Sequence, residues 1–209
     1  MYFVMYRIES LMPLKAQEAR VHILAETLKD NLTVNVLIVG HGPSYKDYEF
    51  IKNFDGLILC VDVSTNDLIE NDIMPDFTIW CEINEWVKAK VNTLLGEKLR
   101  DSKCTAVFRN NTVPELKNRC KSLRLTYVTF NAIYKKDKRA TKNVGLYSIA
   151  FADMVLKADN IHLIGLEYKG DEYPKDMFNA WIDETKHYFH NTNFKSKIID
   201  HSDGNFPDK

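Results

Sequence analysis

The sequence predicts an α/β protein: a Rossmann-like, doubly wound, mostly parallel sheet in a single domain. Short runs rich in Val, Ile and Leu alternate along the chain with stretches of helical character, the order that a parallel sheet covered on both faces requires. The runs are nearly continuous in apolar residues, as strands buried on both faces must be. At 209 residues the chain is long enough for one such domain with a sizeable core.

Taken in order, residues 1–33 read as an N-terminal helical segment. Leu14, Ala19, Val21, Leu24, Ala25 and Leu28, set among charged neighbours, give 14–30 the pattern of an amphipathic helix. The Rossmann-like body is expected over 34–209. Its strands are VNVLIVG (34–40), GLILCVD (56–62), FTIWCEI (77–83), CTAVFR (104–109), LTYVTF (125–130), NIHLIGL (160–166) and KIID (197–200). Helices are expected between most of them, at 45–53, 64–71, 85–100, 113–122, 143–157 and 175–190. The polar stretch NAIYKKDKRATK (131–142) is expected as a loop. Loops at the carboxyl ends of strands are where open α/β sheets hold their ligands. No internal repeat, Pro/Ser-rich linker or low-complexity tract interrupts the pattern.

Composition narrows the function classes. Hydrophobic residues make up 45% and charged residues 27% of the chain, an ordinary globular balance. A formal net charge of −1 supplies no global field for nucleic acid or an acidic membrane, so any anion binding must be local. Trp80, Trp86 and Trp181 are not spaced as a base-stacking platform. Cys60, Cys81, Cys104 and Cys120 form no C-x-x-C pair and no zinc spacing, and are expected as small buried thiols. The start, MYFVMYRIESLM, lacks the pattern of a secretory leader, and no run approaches the ~20 apolar residues of a membrane span. The expectation is a reduced, cytoplasmic protein.

Gly40-His41-Gly42-Pro43-Ser44 closes the first strand of the body. The glycines allow a tight turn and a close backbone approach, and Ser44 with Asp47 fits an S-x-x-D capping pattern. N–H groups at such a helix start can face a phosphate. Tyr45 stands where the dinucleotide fingerprint has its third glycine, and the Gly-Lys-Ser/Thr of a P-loop is absent. The turn by itself is therefore either a phosphate cradle or a plain strand-to-helix corner. Asp62 ends the second strand roughly 20 residues later, where a Rossmann protein places the acid that bonds a ribose hydroxyl. Glu82 and Asn84, two apart, can address one ligand from the same side of a strand.

These residues, together with Ser64-Thr65 and Leu68 after Asp62, with Pro75-Asp76, and with NVGLYSIAFADMVLKADNIHLIGLEY, carry a resemblance. The combination resembles the 6-hydroxymethylpterin diphosphokinase-like family, which is similar to flagellin-modifying glycosyltransferases and, more distantly, to bacterial sialyltransferases. The resemblance covers about residues 34–170 and implies a Rossmann-like, nucleotide-binding transferase domain. It implies that Gly40, His41, Gly42, Pro43 and Ser44 hold the phosphates or base of a nucleotide. Asp62 with Glu82 or Asn84 would bind its sugar and base, and Asn143 to Gly145 would open a second phosphate-facing helix. Glu167 stands where the family usually shows aspartate. The pterin kinases carry two closely spaced acids after their Pro-Asp strand, whereas Glu82 stands alone in that segment before Glu85. That single acid is more like the glycosyltransferase branch, although Asp62 with Glu82 could still hold Mg²⁺ alongside ATP.

Lys135, Lys136, Lys138, Arg139 and Lys142 crowd the loop before Asn143, either as a solvated charge run or as an anion-binding loop. Arg139 is the preferred binder, since its fork pairs with phosphate or carboxylate at two points. His187, three residues before His190, is the candidate base for an acceptor hydroxyl, with a surface role as the alternative. Tyr168 and Tyr173 could bond a departing phosphate or pack beneath a lid. The leading expectation is transfer of a sugar from a nucleotide-sugar to a small-molecule or glycan acceptor, with His187, Glu167 and Arg139 as catalytic candidates. The alternatives are diphosphate transfer from ATP to 6-hydroxymethyl-dihydropterin and a catalytically idle nucleotide-binding module. No nucleic-acid partner is expected, and homo-oligomerisation is left open.

Overall fold

A computed structural model describes residues 3–9, 33–80, 98–100, 102–109, 118, 120–133, 143–167 and 174–202. The strands are β1 (Phe3–Glu9), β2 (Asn35–Val39), β3 (Leu57–Val61), β4 (Phe77–Trp80), β5 (Thr105–Arg109), β6 (Thr126–Ile133), β7 (Asn160–Ile164) and β8 (Lys197–Asp200). They form one sheet in the order β1-β6-β5-β4-β3-β2-β7-β8. Every neighbouring pair is parallel except β1 with β6. Each body strand falls within or against an apolar run identified in the sequence, because strands buried on both faces leave no polar alternation to misread.

The two-residue period sorts the side chains between two faces. Val36 and Ile38 of β2 join Leu59, Val61 and Ile79 in one core, whereas Leu37 and Val39 join Cys60 in the other. The second face is covered by a 3₁₀ turn (Pro43–Lys46), by α1 (Tyr48–Lys52) and by α2 (Ser64–Glu70), through Tyr45, Ile51 and Leu68. The first face is covered by α3 (Val144–Phe151), which continues as a π turn (Ala152–Leu156), and by α4 (Lys175–Asn191). The sequence VGLYSIAF is a poor isolated helix, in which Gly145 alone costs about 1 kcal/mol relative to Ala. Burial decides the matter: Leu146, Ile149 and Phe151 are enclosed, and each such side chain contributes roughly 1.5–3 kcal/mol. Lys157, at φ 58°, ends this segment. Asp153 on the π turn accepts the Lys195 and Ser196 N–H groups, each at 2.9 Å, and thereby holds the lead into β8.

The chain steps from β2 outward to β6 on one side and then crosses by way of α3 to lay β7 on the other side of β2. The strand order therefore reverses at the β2–β7 boundary, and the carboxyl ends of these two strands flank the place where open α/β sheets hold ligands.

Two expectations change. Residues 1–33 were expected to be helical, but Phe3–Glu9 form a strand antiparallel to β6, from Phe3 opposite Ile133 to Glu9 opposite Tyr127. Phe3, Val4, Tyr6 and Ile8 favour a pleated strand, and the open side of β6 offers the backbone partners that this segment needs. The expected loop at 131–142 also begins late, because β6 runs through Ile133. The amphipathic helix at 14–30, residues 85–97 and residues 113–117 lie outside the described residues, as does Cys81. Cys60, Cys104 and Cys120 are buried free thiols. Burial pushes the Cys120 thiol up to about 12 and those of Cys60 and Cys104 also upward, which fits inert packing.

Candidate functional site at the carboxyl edge of the sheet

The turn after β2 is joined to the turn after β7 by backbone bonds. The Gly40 N–H donates to the Ile164 carbonyl at 2.8 Å and the Gly42 N–H to the Gly165 carbonyl at 2.7 Å. A Cβ on Gly40 would collide with the Gly165 carbonyl and with Leu166. On Gly42 a Cβ would stand 2.8 Å from Glu167 Oε2. Gly165 itself has a φ of +71°, a left-handed conformation that glycine adopts without strain. The close approach that these glycines permit is thus between the chain's own two strand ends.

Ser44 completes the junction. Its N–H donates to Glu167 Oε1 and its hydroxyl to Glu167 Oε2, the latter at 2.9 Å, while Ser44 Oγ accepts the Gly165 N–H at 2.8 Å. Glu167 is 1% exposed, so a buried carboxylate occupies the position before Ser44 where an anion was expected. The capping expectation changes as well: Ser44 lies within the 3₁₀ turn, and Asp47 is the N-cap of α1, accepting the Phe50 N–H at 3.1 Å.

The start of α2 meets the same edge. Ser64 Oγ lies 2.9 Å from the Val39 carbonyl and 2.8 Å from that of Val61, tying the helix to the ends of β2 and β3. Asp62 has a φ of 45°, a conformation that non-glycine residues seldom adopt and that recurs at functional sites. Its N–H donates to the Ile79 carbonyl at 2.9 Å, linking it to the end of β4. Asn66 is 2% exposed, and among the described residues neither its amide nitrogen nor its amide oxygen has a hydrogen-bond partner. Leaving such groups unpaired costs about 1–3 kcal/mol, a cost for which the fold offers no return.

Asp67, on α2, was not singled out in the sequence. Its Oδ2 lies 3.1 Å from His41 Nε2 and accepts the Tyr45 hydroxyl at 2.9 Å. The His41 and Tyr45 rings lie 4.7 Å apart at 32°. Tyr45, which displaces the third glycine of the dinucleotide pattern, is buried and packs into the core of this face. Burial first, and then Asp67, push its phenol well up, so it remains a hydrogen-bond donor.

The remaining expected residues divide by position. Asn143 caps α3 at the carboxyl edge on the opposite face, its side chain accepting the Gly145 and Leu146 N–H groups at 2.9 and 3.3 Å. Pro43 opens the 3₁₀ turn and is exposed. Asp76 stands at the other end of the sheet, where it accepts the Ile58 N–H at 2.8 Å. His187 is not brought to the turn. It is exposed, and α4 runs back toward the amino edge, with His187 roughly 18 Å along its axis from Lys175 at 1.5 Å per residue. His190 is exposed on the same helix. Glu82, Asn84, Arg139, Lys135, Lys136, Lys138, Lys142, Tyr168 and Tyr173 lie outside the described residues. Among the described residues no group of three or more His, Cys, Asp or Glu gathers as a metal site. No described helix is long and apolar enough to cross a membrane.

The fold and this edge define a Rossmann-like α/β protein with a polar junction at its strand-order reversal. The chain belongs to the 6-hydroxymethylpterin diphosphokinase MptE-like family, which matches residues 12–171. Among solved structures it is similar in fold to the MAf glycosyltransferase from Magnetospirillum magneticum AMB-1, with a TM-score of 0.62 and 16% identity. The match covers 84% of this chain and 33% of that one, so the chain spans about a third of that glycosyltransferase's length. No curated protein matches the sequence. The description of the matched family, a diphosphokinase, points to a transferase.

Proposed function

We propose that the chain is a nucleotide-dependent transferase that moves a sugar from a nucleotide-sugar to a hydroxyl acceptor at the carboxyl edge between β2 and β7. The observation that carries this reading is the convergence of the Gly40–Ser44 turn, Glu167, Asp62 and the α2 start on one strand-order reversal. Asn66 supports it, because a buried amide with both hydrogen-bonding ends unused suits a ligand edge that offers a donor and an acceptor. In this reading the Ser44 N–H and hydroxyl receive the nucleotide phosphate, displacing the Glu167 carboxylate that now holds them. Arg139 answers the charge that develops on the departing phosphate, and Asp62 with Glu82 or Asn84 holds the nucleoside. The likeness to a glycosyltransferase favours this chemistry.

Diphosphate transfer from ATP to 6-hydroxymethyl-dihydropterin is the second reading, favoured by the description of the matched family. It would use Asp62 and Glu82 to hold Mg²⁺ against the phosphates. Thermal melting with CMP, UDP, GDP, Mg²⁺-ATP and pterins separates the two, because a ligand that binds only the folded state raises the midpoint with its occupancy. Stabilisation by CMP or a nucleoside diphosphate without metal is the expected result. Strict Mg²⁺-ATP dependence with pterin synergy would replace the reading with the second, and no shift at millimolar ligand would remove both.

A further inference from the structure

The described carboxyl edge holds one histidine whose ring is oriented by a carboxylate. His41 sits between the two glycines of the turn, and Asp67 reaches it from α2, with 3.1 Å between Nε2 and Oδ2. The side chains are 24% and 21% exposed, sheltered enough to be held and open enough to meet a substrate. Tyr45 donates to the same Oδ2 at 2.9 Å and stacks obliquely on the imidazole. Tyr48 meets Tyr45 edge-on, the rings 6.3 Å apart, so the ring, the carboxylate and two phenols form one packed group.

We propose that His41 is the proton acceptor of the transfer step and that Asp67 positions it. This assignment rests on the glycosyl-transfer reading above. Asp67 accepts the Nε2–H and so selects the tautomer whose lone pair is on Nδ1. The acceptor hydroxyl oxygen forms its bond to the anomeric carbon as the bond from that carbon to the phosphate oxygen breaks. The electron pair leaves with the nucleotide, and the hydroxyl proton passes to His41 Nδ1. Among the described residues, the titratable groups around the ring include Asp67 from α2, Tyr45 from the 3₁₀ turn and Tyr48 from α1. Burial raises both phenols, so at neutral pH neither is the base. In Tyr45, Asp67 adds to that rise. His41 thereby takes the part that the sequence suggested for His187, and it does so within the turn that would hold the phosphate.

The test uses the full chain with UDP-N-acetylglucosamine, GDP-mannose and CMP-sialic acid. It reads release of UDP, GDP or CMP across pH, donor affinity by calorimetry, and the imidazole nitrogen resonances of His41. His41→Gln is expected to lower kcat about 100-fold or more, with a much smaller change in donor affinity. Asp67→Asn should lower kcat roughly tenfold or more and shift the imidazole away from the Nε2–H tautomer. A His41→Gln protein with the wild-type rate and pH profile overturns the assignment, as does an unchanged tautomer in Asp67→Asn. Loss of turnover in His187→Ala with His41→Gln still active overturns it in favour of the α4 histidine. A wild type that binds donor but releases no nucleotide overturns the dyad and leaves nucleotide binding standing, whereas a wild type that binds none of the donors removes the transfer reading as well.

Discussion

Glu167 and Asp76 are two carboxylates at opposite ends of the same sheet, and both accept backbone N–H groups. Asp76 works locally: its side chain takes the Ile58 N–H at 2.8 Å, its own N–H donates to the Ile58 carbonyl at 2.9 Å, and its carbonyl accepts the Thr105 N–H at 2.8 Å. Three neighbouring strands are thereby aligned at their amino ends, and the geometry of the sheet accounts for every contact. Glu167 instead joins a turn 123 residues away, beside a left-handed aspartate, a buried unpaired amide and a histidine held by a carboxylate. Asp76, at the amino edge, is a polar group whose bonds to Ile58 and Thr105 all serve the sheet. The carboxyl edge carries several polar groups that the fold does not need, which is the physical reason for placing function there.

The largest effect expected from breaking this contrast is at Gly40. Gly40→Val drives a branched side chain into the Gly165 carbonyl and Leu166, and should cost about 3 kcal/mol or more in chemical denaturation, since neither backbone neighbour can yield cheaply. Glu167→Ala comes next. It leaves the part-buried Ser44 N–H and hydroxyl without their acceptor, a loss of about 1–3 kcal/mol that lowers the melting temperature by roughly 2–4 °C per kcal/mol.

The smallest effect is at Asp76 and is best read as a pH dependence. Burial raises its carboxyl above the ordinary aspartate range, opposed by the Ile58 N–H. A raised folded value means that the stability linked to this proton is fully present below the unfolded value of about 3.9 and is lost as pH rises through the folded one. Asp76→Asn removes that titration. Melting curves should therefore show the stability difference moving in favour of the variant as pH rises from acid to neutral, and a difference that is constant with pH would contradict the assignment.

The sequence made the sheet legible because its body strands are apolar on both faces, so that runs such as VLIV and LILC admit few other readings. Gly40, Gly42, Ser44 and Asp62 were legible as strand-end residues, and the sheet brings them to one edge. What stayed hidden depends on distance along the chain. Asp67 reads in sequence as an ordinary solvated helix acid, and only the fold carries it across 26 residues to His41. The bond from Ser44 to Glu167 is longer still, and no local pattern records it. β1 was misread because its partner β6 lies more than a hundred residues away, although Phe3, Val4, Tyr6 and Ile8 were signals of strand propensity.

The central claim is that the carboxyl edge between β2 and β7 seats a nucleotide phosphate. Backbone amide resonances followed during titration with CMP, UDP and GDP test it most directly. The account predicts shifts concentrated at Gly40 to Tyr45, Asp62 to Asp67 and Gly165 to Glu167, with release of the Ser44 N–H from Glu167. Shifts centred on the β1–β6 edge or along α4, or none at millimolar nucleotide, would contradict it.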